Sequence, residues 1–143
     1  MFEKILIATD NSPLIQNAME YASNLFTDAE YHLINVLNTS DKSVPKTKLV
    51  ESRKKKEATE AIDQGKKTLQ DMGVQKIKTA MPVGEPSEEI LEYINRNEID
   101  LLVIATHAKS GAQEIHIGDT ALHSLQVTSI PSLIFSRRHE PKL

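Results

Sequence analysis

The chain of 143 residues contains no cysteine. Disulfides, thiolate nucleophiles and cysteine-based metal sites are thereby excluded, and the composition fits a reducing compartment. It also lacks a basic excess: 17 Lys and Arg against 20 Asp and Glu leave a formal charge of -3. Nucleic acid is not expected as a partner, because that binding draws on a surplus of cations. No apolar run approaches the ~20 residues of a membrane span. The N-terminal MFEKILIATD enters a strand-like run at once, without a signal-peptide layout. A cytoplasmic protein with no membrane partner is the expectation. No H-E-x-x-H spacing offers a zinc site, and Ser110 lacks a nucleophile-elbow sequence. Neither a catalytic constellation nor a metal held by histidine is therefore expected, and an enzyme is not the leading reading.

What is present suits one globular domain over residues 1–143, with 39% hydrophobic and 26% charged residues. A chain of this size buries roughly 68–70% of its unfolded surface. KILIATD, with a short β-branched core, reads as a strand buried on both faces. Ser12 is placed to cap a following helix and Pro13 suits its first turn. Leu14, Ile15, Ala18, Met19, Ala22, Leu25 and Phe26 then fall on one apolar stripe. YHLINVL, residues 31 to 37, reads as a second strand. A long helix is expected from Leu49 to Met72, with Ala58, Ala61, Ile62, Leu69 and Met72 inward and Gly73 ending it. Its Arg53–Lys56 run reads as a solvated face, with an anionic partner as the sharper alternative. QKIKTAM alternates as a half-buried edge strand, with Ile77, Thr79 and Met81 on one side. A helix follows with Ile90, Leu91 and Ile94 inward, and Glu88 and Glu89 at its start as solvated charges that the dipole favours. DLLVIA, residues 100–105, is the most apolar strand. A helix around Thr120 to Gln126 and a last strand, PSLIF, complete the chain.

This β-α alternation implies a doubly wound parallel five-stranded sheet with helices on both faces, an α/β fold with right-handed crossovers. Ligands in such sheets bind at the carboxyl ends of the strands, where the strand order reverses. That rule points to Thr9 and Asp10, and to Ala105–Lys109 within ATHAKSGAQEIHIGD.

KILIATDNSPLIQNAMEYA, VGEPSEEI, DLLVIATHAKSG, IGD and SIPSLIF, in this order and spacing, resemble the universal stress protein family over nearly the whole length. The resemblance implies the strand order 3-2-1-4-5, a regulatory or protective role under stress, and a dimer that pairs through the last strand. It also implies nucleotide contacts at Ala8, Thr9, Asp10, Val36, Ala105, His107, Ala108, Lys109, Gly118, Asp119 and Thr120. ATP-binding members carry G-x2-G-x9-G-[S/T]. Here the spacing is kept, but Ala105, Ala108 and Asp119 stand at three of the four motif positions and only Gly118 agrees.

These departures have physical weight. A glycine permits φ > 0 and close approach to phosphate. An alanine in a left-handed conformation would cost about 1–2 kcal/mol, and one in an ordinary conformation would add only a methyl group. A carboxylate at Asp119 cannot donate to phosphate and can take the helix N–H groups as an N-cap. At ~4 Å and an effective dielectric near 20 it would repel a phosphate charge by roughly 4 kcal/mol. The leading expectation is a dimeric stress-response module, acting through ligand or protein partners, whose ATP binding is weak or absent. The alternative is an adenine-nucleotide binder in which Mg²⁺ bridges Asp119 and phosphate, with slow ATP hydrolysis. Asp10 is open between a nucleotide contact and an Asx-turn. His107 reads as a loop-holding residue or a ligand contact, and Lys109 as pairing with phosphate or with Asp119. The adenine side would use backbone near Asn35 and Val36. His32 and His139 read as isolated surface histidines. A receiver-like signalling domain needs an acidic phosphoacceptor at the end of its third strand; AMPVG has none.

Overall fold

Three short β-branched runs, KILIA, EYHLI and LLVIAT, stand side by side at the middle of the molecule. The computed structural model describes residues 2–10, 12–38, 47–106 and 129–136. In chain order the described elements are β1 (Lys4–Ala8), α1 (Pro13–Leu25), β2 (Glu30–Ile34), α2 (Lys48–Asp71), β3 (Ile77–Ala80), α3 (Pro86–Arg96), β4 (Leu101–Thr106) and β5 (Ser132–Ser136). The strands form one sheet in the order β3-β2-β1-β4-β5, with every pairing parallel. The helix expected around Thr120–Gln126 lies outside the described residues.

Two apolar layers sandwich the sheet. Ile5, Ile7, Tyr31, Leu33, Leu101 and Val103 face α1 and α2. Leu6, Ile34, Leu102 and Ile104 face α3 through Ile90 and Ile94. The period-2 alternation of side chains along each strand thus feeds both layers at once. At the amino end of the sheet, Asp100 Oδ2 accepts the N–H groups of Glu3 and Lys4, each at 3.0 Å. That carboxylate joins the starts of β1 and β4. Among the described residues no helix is long and apolar enough to cross a membrane.

Several expectations are corrected. β2 stops at Ile34 rather than running to Leu37, which returns as an isolated bridge to Val83. The neighbouring chain passes through Pro82, which has no N–H to donate, so the ladder breaks there. Leu25 is 53% exposed. The inward position at the end of α1 goes to Phe26, whose ring packs edge-on against Phe2 at 5.2 Å. Thr79 is exposed, although Ile77 and Met81 pack inward as expected. Met72 is half exposed at the C-cap of α2, where Gly73 ends the helix at φ 90°. Leu91 is half-buried, beside fully inward Ile90 and Ile94.

His32 is not a surface histidine. It is 1% exposed, between Tyr93 of α3 and Glu30 on its own strand. With the proton on Nε2, the ring donates to Glu30 Oε2 at 2.8 Å, and Nδ1 accepts from the Tyr93 hydroxyl at 2.6 Å. The hydrogen bond from His32 holds the Glu30 carboxyl below the usual carboxylate range, with Lys78 and Lys4 adding to the effect. Burial, and then the charge of Glu30, pushes the Tyr93 hydroxyl up. A buried polar group is tolerated when its partners are supplied, and nothing in the local alternation EYHLI reveals a partner 61 residues away.

Gly65 takes a place on the inward stripe of α2 that a bare hydrophobicity pattern skips. A Cβ there would lie 2.8 Å from Met19 Cε and 3.2 Å from Leu33 Cδ1. Gly65→Ala should be nearly neutral, since the flexible end of Met19 gives way and alanine gains up to about 1 kcal/mol of helix propensity. Gly65→Leu should destabilise by about 1–3 kcal/mol through overpacking. Chemical denaturation of both variants checks this; equal stabilities would contradict the close approach.

Candidate functional site

The sheet reverses its winding direction between β1 and β4. α1 and α2 lie on one face and α3 on the other, so the carboxyl ends of β1 and its neighbours form the crevice where a ligand is expected. β1 extends through Thr9, whose N–H donates to Ile34 O at 2.9 Å. Thr9 is buried and its carbonyl is pinned by the Asn35 side-chain amide at 3.2 Å. Asp10 is exposed, and its Oδ1 accepts the Ser12 N–H at 2.8 Å. This is the Asx-turn, and Ser12 in turn caps α1 by accepting the Ile15 N–H at 3.3 Å. Turn and ligand roles are compatible: the carboxylate keeps a second oxygen for a ligand hydroxyl.

An open cleft of about 410 Å³ lies on the β2 side of that end of β1, lined by Asp10, by Asn35–Asn38 and by Lys54, Glu57, Ala58 and Ala61 of α2. Its volume falls within the few-hundred Å³ range typical of small-molecule sites. The backbone next to β2 offers a specific feature. The N–H groups of Asn35 and Leu37 donate toward the β3 side, to Ala80 O at 3.1 Å and Pro82 O at 2.8 Å. Backbone groups of an extended segment alternate in direction. The N–H and C=O of Val36 therefore face the side where β1 has already ended, and neither takes part in a hydrogen bond among the described residues. One donor and one acceptor are thus presented side by side, at the height of Asp10.

Of the residues expected at a nucleotide site, Asp10 and Val36 line this cleft. Ala8 and Thr9 lead into it on β1, with Ala8 half-buried against the α3-side layer. Ala105 is in β4, in register with Phe135, and among the described residues only Glu98 is a non-glycine with positive φ. The first motif alanine thus has an ordinary backbone, and its departure from glycine adds a methyl group and no strain. His107, Ala108, Lys109, Gly118, Asp119 and Thr120 lie outside the described residues, as does His139.

Lys54 was grouped with a solvated run, and the structure separates it. Arg53, Lys55 and Lys56 are exposed, while Lys54 is half-buried, lines the cleft and donates to Asn38 O at 3.4 Å. The signal was available: positions 54, 58, 61 and 65 recur at helical spacing, so Lys54 continues the inward stripe by one turn. The described lining carries two carboxylates, Asp10 and Glu57, and one ammonium. No group of three or more metal-ligating side chains occurs among the described residues. The chemistry on offer is recognition: a carboxylate acceptor, an unpaired backbone edge, small apolar walls and one cation.

The sequence model of the Universal stress protein family matches residues 1–136. Universal stress protein MJ0531 of Methanocaldococcus jannaschii is 31% identical over 143 residues, an alignment spanning 96% of this chain and 84% of that protein. The solved structure of hypothetical protein MJ0577, from the same organism, is 28% identical with a TM-score of 0.76, covering 98% of this chain and 99% of that one. An Arabidopsis thaliana protein of the universal stress protein family, solved with AMP bound, shares the fold at a TM-score of 0.68 and 14% identity, covering 94% of this chain and 92% of its own.

Proposed function

This chain belongs to the universal stress protein family, and on that premise we propose that it is a stress-response module that recognises adenine nucleotides through base and ribose and holds ATP only weakly. The observation that carries this reading is the unpaired backbone edge of Val36 beside Asp10 in the strand-end cleft. An adenine edge presents one acceptor and one donor to such a pair, and a carboxylate accepts ribose hydroxyls. The AMP held by a protein of the same fold supports the ligand class. Weak ATP binding follows from Ala108 and Asp119 in the motif, where charge repulsion of roughly 4 kcal/mol outweighs backbone bonds of about 1 kcal/mol each. Residues 1–143 act as one domain in the cytoplasm, and the protein pairs with a second copy along β5. That pairing is supported by the place of β5 at the sheet edge and by Ile134, which is 41% exposed there.

Calorimetric titration of nucleotide-free protein tests the proposal. AMP should bind at least as tightly as ATP, with or without Mg²⁺. Asp10→Asn keeps an oxygen for the Ser12 N–H but loses the charge, so the fold should survive while AMP weakens by about tenfold or more, the worth of a charge-assisted hydrogen bond. ATP binding that is far tighter than AMP and requires Mg²⁺ would overturn the weak-ATP reading and give Asp119 a metal-binding role. Loss of all heat with every adenine nucleotide would overturn the ligand class itself.

A further inference from the structure

We propose that Asn35 is a positioning residue of the strand-end cleft: its side-chain amide takes the carbonyl that would otherwise receive the Val36 N–H, and so keeps the Val36 backbone edge open for a ligand. This rests on the adenine-nucleotide reading above and adds how its recognition edge comes to be free. The β1–β2 ladder shows where the next rung belongs. The Glu30 N–H donates to Glu3 O at 2.8 Å, and the register runs in step from Lys4 beside Glu30 to Ala8 beside Ile34. Rungs of a parallel ladder recur every two residues along each strand. Counting forward from Glu30 and Glu3, past Ile34 and Ile7, the next donor is Val36 and the next carbonyl is that of Thr9. The opposite set of rungs continues this far, since the Thr9 N–H still reaches Ile34 O at 2.9 Å. The rung from Val36 is not made. Thr9 O accepts Nδ2 of Asn35 at 3.2 Å instead.

The exchange of donors has an energetic reason. Thr9 is buried, and a buried carbonyl left without a donor is costly. The ladder would meet that need with the N–H of Val36, whereas Asn35 meets it from a side chain. The backbone N–H of Asn35 is spent on Ala80 O at 3.1 Å, and that of Leu37 on Pro82 O at 2.8 Å. Asn35 is thus tied to β3 by its backbone and to the end of β1 by its amide. Val36, between two residues that are both committed, keeps its N–H and C=O for the cleft. Without the amide, Thr9 O would draw the Val36 N–H and the ladder would close by one rung, removing the donor that an adenine acceptor needs.

Hydrogen exchange of the Val36 amide, followed by NMR with and without AMP, tests the assignment together with calorimetric titration of AMP. In the wild type the amide should exchange freely and become protected at least tenfold when AMP binds. In Asn35→Ala it should be protected at least tenfold without any ligand, and AMP affinity should fall by about tenfold, as expected for one lost hydrogen bond. Asn35→Gln retains an amide donor and should keep the free exchange and most of the affinity. Circular dichroism checks that each variant folds. Asn35→Asp, equal in shape but without a donor, repeats the exchange measurement should alanine disturb the fold. A Val36 amide that still exchanges freely in the variants lacking a donor overturns the assignment: with unchanged AMP binding Asn35 is only a tie between strands, and with weakened binding it is a ligand contact. A wild type that binds no adenine nucleotide overturns the reading above, while Val36 exchange in the ligand-free variants still decides whether Asn35 holds the rung open.

Discussion

Tyr31→Ala is expected to lower the free energy of unfolding by about 3–5 kcal/mol, the usual cost of emptying a buried aromatic site. Tyr31 is fully buried on β2 in the layer facing α1 and α2, and its hydroxyl donates toward Ala22 O at 2.9 Å and Phe26 O at 2.7 Å. It therefore fills the core and satisfies the carbonyl end of α1 together. Tyr31→Phe keeps the ring and should cost about 1–3 kcal/mol, because both carbonyls lose the hydroxyl, although Ala22 O keeps the N–H of Phe26 at 2.8 Å. The two variants also separate at high pH. Burial pushes the Tyr31 hydroxyl from 10.0 up to about 12. Its contribution is fully present below the unfolded value near 10 and is lost as pH rises through the folded value. Wild-type stability should thus fall between about pH 10 and 12, and part of that slope should vanish in Tyr31→Phe. Denaturant unfolding at pH 8 and at pH 11 measures the difference; identical slopes would contradict a buried neutral hydroxyl.

Leu102→Ala should cost about 2–5 kcal/mol. Leu102 is fully buried in β4, on the layer that joins Leu6, Ile34, Ile90 and Ile94. That layer has fewer described side chains than the opposite one, and β4 is held between β1 and β5. Neighbours fixed by two ladders cannot easily collapse into the space, which favours the upper part of the range. Leu102→Met should cost less than about 1.5 kcal/mol because volume is nearly kept. The comparison is made by thermal and denaturant unfolding. Near-wild-type stability for the alanine variant would mean that this layer repacks freely.

The alternation of strands and helices and the helix limits were legible because they depend on local pattern, whereas the strand order came from the family resemblance. Ser12 and Pro13 begin α1, and Gly73 ends α2, as local chemistry requires. Asp10 carried both readings, and the structure realises the Asx-turn while leaving an oxygen for a ligand. Failures came where a residue answers to a distant segment. His32 depends on Tyr93, and the end of β2 depends on Pro82 across the ladder. Leu25 and Phe26 compete for one inward position that periodicity assigns to both. Lys54 was hidden by its own charge within a basic run, although its spacing from Ala58 and Ala61 placed it on the inward stripe. Composition is a weak guide where a long side chain can bury its stem and keep its head polar.

The pairing of β1 with β4 also governs how the molecule is assembled as it is made. The carboxylate of Asp100 and the amide of Glu3 that it holds are 97 residues apart in the chain. β1, β2 and β3 are all complete by Ala80, whereas the second neighbour of β1 begins at Leu101. At a synthesis rate of roughly 5–20 residues per second, that delay is about 1–4 s. For that interval the strand destined for the centre of the sheet is a margin, with an open row of backbone donors and acceptors along Ile5–Ile7. The nascent half-sheet is one-sided until the later segment closes it, so the vulnerable moment in the life of this fold falls before its last third has been translated.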